Sequence, residues 1–307
     1  MRRPFLGLLL ALAAPACSPQ PHTAQSTIID IDTKGLPAGS LTLPGRPDSV
    51  KLAVIGDSGR GWKPQFDVAR QMSAYRAQFP FSLVLMAGDN IYEGPATAED
   101  YRLKFEEPYA ALLADGVRFQ AVLGNHDDPN QRYYAPFNMG GQRYYTFSPP
   151  SGVLADLVTD VQVFAIDSTN LDRDQLAWLS TELSRSRARW KVMLMHHPLY
   201  TSGRYELEAR LTRWQLESLF ADHGVAVAFS GHEHLYQRSR LERGILYFIT
   251  GGAGSLRPGD GRVTGTIVRS YARDYHFMLV EIARDALYFQ AITREGLTVD
   301  AGVLRLD

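Results

Sequence analysis

The chain has 307 residues, a formal net charge of −1 and a hydrophobic fraction of 45%. A charge so close to zero gives no global field that selects polymeric nucleic acid or an anionic membrane, and no run of Lys and Arg supplies a local one. The single cysteine, Cys17, excludes a disulfide framework, a thiolate zinc site and a cysteine nucleophile in the folded domain. Any metal must therefore be held by oxygen and nitrogen.

The first seventeen residues have the layout of a secretory signal rather than a membrane-spanning helix. Arg2 and Arg3 precede an apolar stretch of about ten residues, which small residues follow. The sequence Ala-Pro-Ala-Cys at 14–17 resembles a bacterial lipoprotein processing site, although Ala14 stands where leucine is usual. We therefore exclude residues 1–17 from the fold. We expect an exported protein, either periplasmic or held at a membrane surface by a lipid on Cys17.

Residues 18–48 are rich in Pro, Ser, Thr and Gly, which is typical of a tether. They are too few for a separate domain, but the segment around Thr27–Ile31 predicts one edge strand. Residues 49–307 then form one domain that is large enough for a substantial core.

Short apolar runs alternate with helical patterns from Val50 onward, which is typical of an α/β domain. Most of the runs are continuous rather than alternating, which predicts strands covered on both faces. In the last quarter, three β-rich runs at 244–252, 276–282 and 286–293 predict hairpins of a second sheet.

Two helices are predicted between the apolar runs. Asp172 and Gln175 predict a capping box at the start of the first helix, with Leu176, Leu179 and Leu183 on one face. The second helix covers Glu206–Asp222.

Polar side chains stand where the apolar runs end, which is where open α/β sheets gather their ligands. Five of them come from five separate segments: Asp57, Asp89, Asn125, His196 and His232. Five of the eight histidines belong to these ends: His126, His196, His197, His232 and His234. The other three, His22, His223 and His276, are assigned to the tether or to the surface.

The polar residues at these ends suit hard or borderline cations, because they offer carboxylates, an amide, imidazoles and a phenol. They exceed what one ion with an open catalytic position needs, which favours two ions. Since two neighbouring cations repel each other, a carboxylate is expected between them. Asp89 is the natural candidate.

Five sequence blocks resemble, in order, the motifs of calcineurin-like metallophosphoesterases, and more closely those of the purple acid phosphatases. They are GDSG at 56–59, GDNIY at 88–92, GNHD at 124–127, MHHP at 195–198 and GHEH at 231–234. Tyr92, three residues after Asp89, separates the purple enzymes from relatives with a different ligand set. The short N-terminal region is similar to the small, single-domain, tartrate-resistant members of that family.

The resemblance implies a ligand set for two metal ions. The first ion would be held by Asp57, Tyr92 and His234, the second by Asn125, His196 and His232, and Asp89 would bridge them. A phenolate from Tyr92 favours Fe(III) at the first position, whose charge makes hydroxide available below neutral pH. The second ion would be divalent Fe, Zn or Mn.

The resemblance also implies roles around the metals. His126 would donate to a phosphoryl oxygen or protonate the leaving group, with Asp127 orienting it. Asn125 and His197 would lie close to the substrate, His197 in a supporting role. The family often has another histidine nine or ten residues after the ligand of the HHP block, but here the sequence offers Tyr205 and Glu206. Arg204 becomes a candidate to clamp phosphate oxygens.

The implied fold is α/β, a four-layer αββα sandwich of two mixed β-sheets flanked by helices, with the metals at the edge that the sheets share. The implied function is hydrolysis of phosphomonoesters, in small molecules or phosphoproteins, by in-line attack of a metal-bound hydroxide. One alternative is a phosphodiesterase or nucleotide pyrophosphatase on the same metals, although Gly59 stands where the cyclic-nucleotide branch usually has histidine. A second alternative is an inactive surface lipoprotein that only binds.

Overall fold

The structure is a computed structural model, and it describes residues 26–149 and 160–306. The predicted signal and Cys17 lie outside the described residues. Within that part of the chain, no helix combines the length and the apolarity that crossing a bilayer requires.

The strands of the described chain are short and mostly buried. In chain order they are β1 (Ser26–Asp30), β2 (Val50–Ile55), β3 (Leu83–Met86), β4 (Arg118–Ala121), β5 (Tyr145–Phe147), β6 (Val161–Ala165), β7 (Trp190–Leu194), β8 (Val225–Ser230), β9 (Tyr236–Ser239), β10 (Leu246–Thr250), β11 (Ile267–Tyr271), β12 (His276–Ile282), β13 (Ala286–Thr293) and β14 (Thr298–Leu306). The strand expected around Thr27–Ile31 corresponds to β1, which pairs antiparallel with β14 at a sheet edge.

The strands form two mixed sheets. The first sheet has the order β1-β14-β13-β12-β2-β3-β4, and the second has the order β11-β9-β10-β8-β7-β6-β5. Strands β2, β3 and β4 are parallel in the first sheet, as are β6, β7, β8 and β10 in the second. Each sheet therefore presents a row of carboxyl-terminal strand ends at one edge.

The helices are α1 (Lys63–Arg76), α2 (Ala98–Tyr101), α3 (Ala110–Ala114), α4 (Arg173–Arg185) and α5 (Glu206–Asp222). A π-helical turn covers Arg102–Glu106, and 3₁₀ turns cover Pro129–Tyr133 and Ala135–Phe137. The bounds of α5 confirm the predicted second helix.

Alternate residues of one strand show the layering. Val192 and Leu194 of β7 pack in the core that the two sheets share. Met193 of the same strand packs with Leu179 of α4 and Leu216 of α5 on the other face. With α1 packed on the first sheet, the layers are helix, sheet, sheet and helix, which confirms the predicted sandwich.

The capping box expected at α4 forms only in part. The Asp172 side chain accepts a hydrogen bond from the Gln175 backbone at 2.8 Å, as predicted. The Gln175 amide instead bonds the backbone N–H and carbonyl of Asp167, at 2.8 and 2.9 Å. It thereby ties the start of the helix to the end of β6.

The prediction for the last quarter of the chain is wrong in one respect. Strands β12, β13 and β14 do form a meander, but β12 pairs with β2 and extends the first sheet. Strand β10 joins the second sheet, parallel to β8. His276 also differs from expectation, since it is fully buried in β12, and burial lowers its pKa to about 4.

A buried ion pair connects the two sheets. Arg238 of β9 donates from Nε to Asp300 of β14 at 2.6 Å, and both side chains are almost fully buried. Tyr236 donates to the same carboxylate at 2.7 Å, and Asp30 of β1 accepts from Arg238 at 2.8 Å. The carboxylate of Asp300 in β14 therefore links the first sheet to β9 of the second sheet by accepting from both Arg238 and Tyr236.

Asp300→Ala is expected to lower the free energy of unfolding by about 3–5 kcal/mol, because it leaves the buried Arg238 charge without its main partner. Urea unfolding followed by circular dichroism measures this loss. The control is Asp285→Ala, which removes an exposed partner of Arg46 and is expected to cost less than about 1 kcal/mol. A loss for Asp300→Ala no larger than that of the control would contradict the role of the pair.

Candidate metal centre

The predicted site residues come together at the edge that the two sheets share. Asp57 and Asp89 follow β2 and β3, and Asn125 lies just beyond β4, all in the first sheet. His196 and His232 follow β7 and β8 of the second sheet. The Asn125 side chain lies within hydrogen-bonding distance of both histidines, and the Asp57 carboxyl group accepts from the His232 backbone N–H at 2.8 Å.

The backbone at three of these positions lies in the left-handed region. The φ angles are 55° at Asp57, 52° at Asp89 and 68° at His232. Residues other than glycine rarely adopt this region, and such strain concentrates at functional sites. These turns reverse the chain directly after each strand and leave the three side chains at the shared edge.

Two glycines allow the chain to pass close to the carboxylates. A Cβ atom on Gly124 would lie 2.2 Å from Asp89 Oδ1, and one on Gly231 would lie 2.3 Å from Asp57 Oδ2. The glycines of the GNHD and GHEH blocks are thus explained by packing against these carboxylates.

The first cluster consists of Asp57, Tyr92 and His234. Tyr92 Oη lies 3.2 Å from Asp57 Oδ1 and 3.1 Å from His234 Nε2, and that Nε2 lies 3.3 Å from Asp57 Oδ1. All three side chains are buried. Three potential ligand atoms therefore converge on one point, and the phenol donates a hydrogen bond to the Asp57 carboxyl group.

The second cluster consists of Asn125, His196 and His232. Asn125 Oδ1 lies 2.9 Å from His196 Nε2 and 2.9 Å from His232 Nδ1, and these two nitrogens are 3.3 Å apart. Here too the ligand atoms converge from separate segments.

The outer ring nitrogens of both histidines already have acceptors. His196 Nδ1 donates to the Ala87 carbonyl at 2.8 Å, and His232 Nε2 donates to Glu208 Oε2 at 3.1 Å. In the neutral tautomers that these bonds select, lone pairs remain on the inner nitrogens, facing the Asn125 oxygen. Lone pairs face one another without a proton between them, and a cation is the group that satisfies such an arrangement.

Asp89 lies between the clusters. Its Oδ1 is 3.4 Å from His196 Nε2 of the second cluster. Ligand atoms of Asp89, Asp57 and His234 also lie within 4.8 Å of one another. A carboxylate that reaches both clusters is where a bridge between two cations is expected.

Burial sets the protonation of the clusters. Burial, reinforced by the charge of Asp89, raises the pKa of Asp57 to about 8, and burial also raises the pKa of Tyr92 far above its ordinary value. Burial lowers the pKa of both His232 and His234 to about 3. The imidazoles of His232 and His234 are therefore neutral at pH 7, while the Asp57 carboxyl and Tyr92 phenol groups ionise readily only beside a positive charge. The donor set fits metal ions.

Glu208 of α5 supports the second cluster and was missed by the sequence analysis. Besides accepting from His232, its carboxylate lies 3.2 Å from His197 Nε2. No motif marks it, because it belongs to an ordinary helical turn brought to the site by packing. Carboxylates that hold a ligating histidine in this way fix the ring orientation and raise its basicity.

His197 supports the site rather than facing a substrate. Its Nδ1 lies 3.0 Å from the Ser168 hydroxyl, and its Nε2 contacts Glu208. Both ring nitrogens are thus engaged by protein groups, which agrees with the supporting role expected for His197. Ser168, after β6, also accepts the backbone N–H groups of His196 and His197.

Asp127 does not orient the His126 imidazole, contrary to expectation. Its carboxylate turns inward and accepts from the backbone N–H groups of Asn90, Ile91 and Gly124 at 2.7–3.0 Å. Burial raises its pKa to about 8. Asp127 therefore braces the turns that carry Asp89 and Asn125.

His126 is exposed at the mouth of the site, beside both clusters. Its backbone N–H donates to Asp89 Oδ1 at 3.0 Å, and its ring centroid lies 5.1 Å from that of Tyr92. The imidazole is thus accessible to a bound molecule.

Arg204 is not brought into either cluster. Its side chain is 59% exposed, and its Nε lies 3.7 Å from Asp260 Oδ2. Two other arginines lie beside the site instead. The Arg60 guanidinium sits 3.6 Å from the Tyr92 ring centroid, and the Arg257 backbone N–H donates to the His234 carbonyl at 3.1 Å. Arg60 follows the GDSG block directly, whereas Arg257 belongs to no block.

Comparison with known proteins agrees with this geometry. Residues 50–236 match the family model described as calcineurin-like phosphoesterase. The chain is 27% identical over 247 residues to purple acid phosphatase 17 of Arabidopsis thaliana, covering 69% of this chain and 70% of that protein. It is 24% identical over 286 residues to human tartrate-resistant acid phosphatase type 5, covering 81% and 87%.

A solved structure shares the fold. GAP50, described as the anchor in the inner membrane complex of Plasmodium, superposes with a TM-score of 0.73 over 84% of this chain and 89% of that one, at 16% identity. Identity this low shows the fold alone. The family match, by contrast, spans more than half of the chain and contains all five sequence blocks. The chain therefore belongs to the calcineurin-like phosphoesterase family, as a hydrolase similar to the purple acid phosphatases.

Proposed function

We propose that the chain is an exported phosphatase that hydrolyses phosphomonoesters with two metal ions. The observation that carries this proposal is the pair of clusters in which potential ligand atoms from separate segments converge, with Asp89 between them. The names of the relatives, which are acid phosphatases, support the same reaction class.

The proposed ligands follow the clusters. Asp57, Tyr92 and His234 hold the first ion, and Asn125, His196 and His232 hold the second, with Asp89 shared. The phenolate of Tyr92 selects Fe(III) for the first position, and the N/O set of the second accepts divalent Fe, Zn or Mn. When bound, such ions make hydroxide available below neutral pH and neutralise charge on a phosphoryl group.

The protein's own groups complete the reaction site. His126, exposed beside Tyr92 and tied to Asp89 by its backbone, is placed to donate a hydrogen bond to a phosphoryl oxygen or to protonate the departing alcohol. Glu208 and Ser168 hold the histidines of the second sheet in one orientation. The proposed proton donor, His126, and the residues that hold the histidines in place, Glu208 and Ser168, thus all lie outside the set of metal ligands.

Export follows from the N-terminal sequence. The arginines before the apolar stretch and the small residues after it support passage through a secretory route, and Cys17 is the proposed point of lipid attachment. The mature enzyme would then act in the periplasm or at a membrane surface, on phosphate esters outside the cytoplasm.

A binding role without catalysis is the second candidate. It is favoured by the similar fold of GAP50, which is described as an anchor in a membrane complex. Against it stands the presence of every expected ligand type in the two clusters, which a purely binding protein does not need.

Asp89→Asn is expected to lose both metals and to lower kcat/KM by at least about 100-fold, since even changes outside the direct ligands cost 10–100-fold. The amide keeps the shape but removes the charge that both clusters share. Metal content per chain and hydrolysis of p-nitrophenyl phosphate measure the two effects. The control, Asp115→Asn, alters a surface partner of Arg76 and should change neither. Full activity with both metals retained in Asp89→Asn would refute the site.

A preference for monoesters over diesters distinguishes the proposed function from the two alternatives, a phosphodiesterase and a binding protein. Protein purified without chelators is expected to favour p-nitrophenyl phosphate over bis(p-nitrophenyl) phosphate by at least about tenfold in kcat/KM, or about 1.4 kcal/mol in activation free energy. The preference should be greatest on the acid side of neutrality. A preference for the diester would instead indicate a phosphodiesterase, and binding of phosphate with no turnover of either ester would indicate the binding role.

A further inference from the structure

Arg257 is held against both histidines of the GHEH block. It lies in the loop between β10 and β11, where its backbone N–H donates to the carbonyl of His234. Its Nη2 donates to the Tyr205 hydroxyl at 3.3 Å. The Tyr205 ring in turn packs on His232, with 4.3 Å between the ring centroids. Arg257 therefore lies beside His234 of the first cluster and, through Tyr205, is connected to His232 of the second.

One end of this guanidinium has no protein partner. Arg257 Nη1 is buried, and among residues 26–149 and 160–306 it has no hydrogen-bond acceptor. Within the same ranges, no carboxylate forms an ion pair with Arg257, and Asp260 of the same loop lies beside Arg204 instead. A buried donor left without an acceptor is costly, and more so when it is charged. A bound anion would supply the acceptor that Arg257 Nη1 lacks.

We propose that Arg257 binds a non-bridging oxygen of the substrate's phosphoryl group and that Tyr205 positions the guanidinium for this contact. The proposal rests on the proposed function and deepens it. A guanidinium suits this task because it presents several donors in a fixed plane and pairs strongly with phosphate oxygens.

The contact also gives a reason for monoester preference. A phosphomonoester has three oxygens that carry no substituent, whereas a diester has two and bears less negative charge. Arg257 supplies a donor and a charge for the oxygen that a second alcohol occupies in a diester. Arg257 is therefore a specificity-determining residue as well as a binding residue.

Tyr205 stands nine residues after His196, where the family often has a histidine. Its hydroxyl accepts from Arg257, and its ring covers His232. In this chain the position thus orients an arginine rather than offering an imidazole to the substrate.

Arg257→Met keeps an unbranched stem for packing on Tyr205 but removes the charge. We expect kcat/KM for p-nitrophenyl phosphate to fall by about 100-fold, the usual loss for one donor to a reacting oxygen. For bis(p-nitrophenyl) phosphate we expect a fall of less than about fivefold, because the diester lacks the oxygen that the charge-assisted bond serves. Metal content should not change. Arg257→Lys should recover only part of the loss, since an ammonium lacks the planar fork.

Tyr205→Phe separates positioning from binding. It keeps the ring on His232 and removes only the hydroxyl. We expect a fall of about three- to tenfold on the monoester, in line with the loss of one hydrogen bond. In the Arg257→Met background the same change should have almost no further effect, because the two residues act as one unit. Equal losses in both backgrounds would show that Tyr205 acts independently of Arg257.

Two further arginine variants complete the test. Arg240→Met removes an exposed arginine paired with Glu242 and should leave both esters unaffected. Arg204→Met decides between the two arginines near the loop. If it, and not Arg257→Met, reduces the monoester preference, the proposal is overturned. Equal losses on both esters, or loss of metal, in Arg257→Met would also overturn it.

Phosphate binding separates this inference from the proposed function. If the wild-type protein hydrolyses neither ester, the proposed function fails, and titration calorimetry of the metal-loaded protein with inorganic phosphate still tests Arg257. Weaker phosphate binding by Arg257→Met, by about tenfold or more as expected for a charge-assisted bond, supports the contact. Equal affinity of the two proteins overturns it.

Discussion

The structure depends on one constraint: potential ligand atoms carried by two sheets face one another with too few protons to satisfy them. In the second cluster, the Ala87 carbonyl and Glu208 engage the outer nitrogens of His196 and His232, so the inner nitrogens present lone pairs to the Asn125 oxygen. A cation bound between them satisfies these contacts without moving the backbone. The surrounding fold can be understood as a means of holding the donors in these positions.

The sandwich meets this demand by aligning the ends of two sets of parallel strands. The left-handed backbone conformations of Asp57, Asp89 and His232 cost energy in any protein. They persist here because the buried strand that precedes each of them fixes the position of the chain. The inward carboxylate of Asp127 ties two of these loops together. Around the histidines of the GHEH block, the Arg257 backbone bonds the His234 carbonyl and the Tyr205 ring packs on His232.

Much of the fold and of the site could be predicted from the sequence, because the signals are local. Apolar runs located the buried strands, and the five blocks located the polar side chains that converge after them. The partners of β12 could not be predicted, since a fully apolar strand carries no mark of which sheet it extends. Glu208 and Arg257 were missed because distant packing, rather than a motif, brings them to the histidines. Asp127 was assigned by adjacency in sequence, but its carboxylate turns to the backbone N–H groups of neighbouring loops rather than to the His126 ring. Arg204 lies exposed beside Asp260, outside both clusters.

The central claim is that Asp89 lies between two metal ions held by the two clusters. A crystal structure of the metal-loaded protein, with anomalous data collected on both sides of the iron absorption edge, tests it most directly. We expect two anomalous peaks about 3.5–4 Å apart, both in contact with Asp89, with iron at the one beside Tyr92. A single peak, or a second ion away from Asn125, His196 and His232, would contradict the claim.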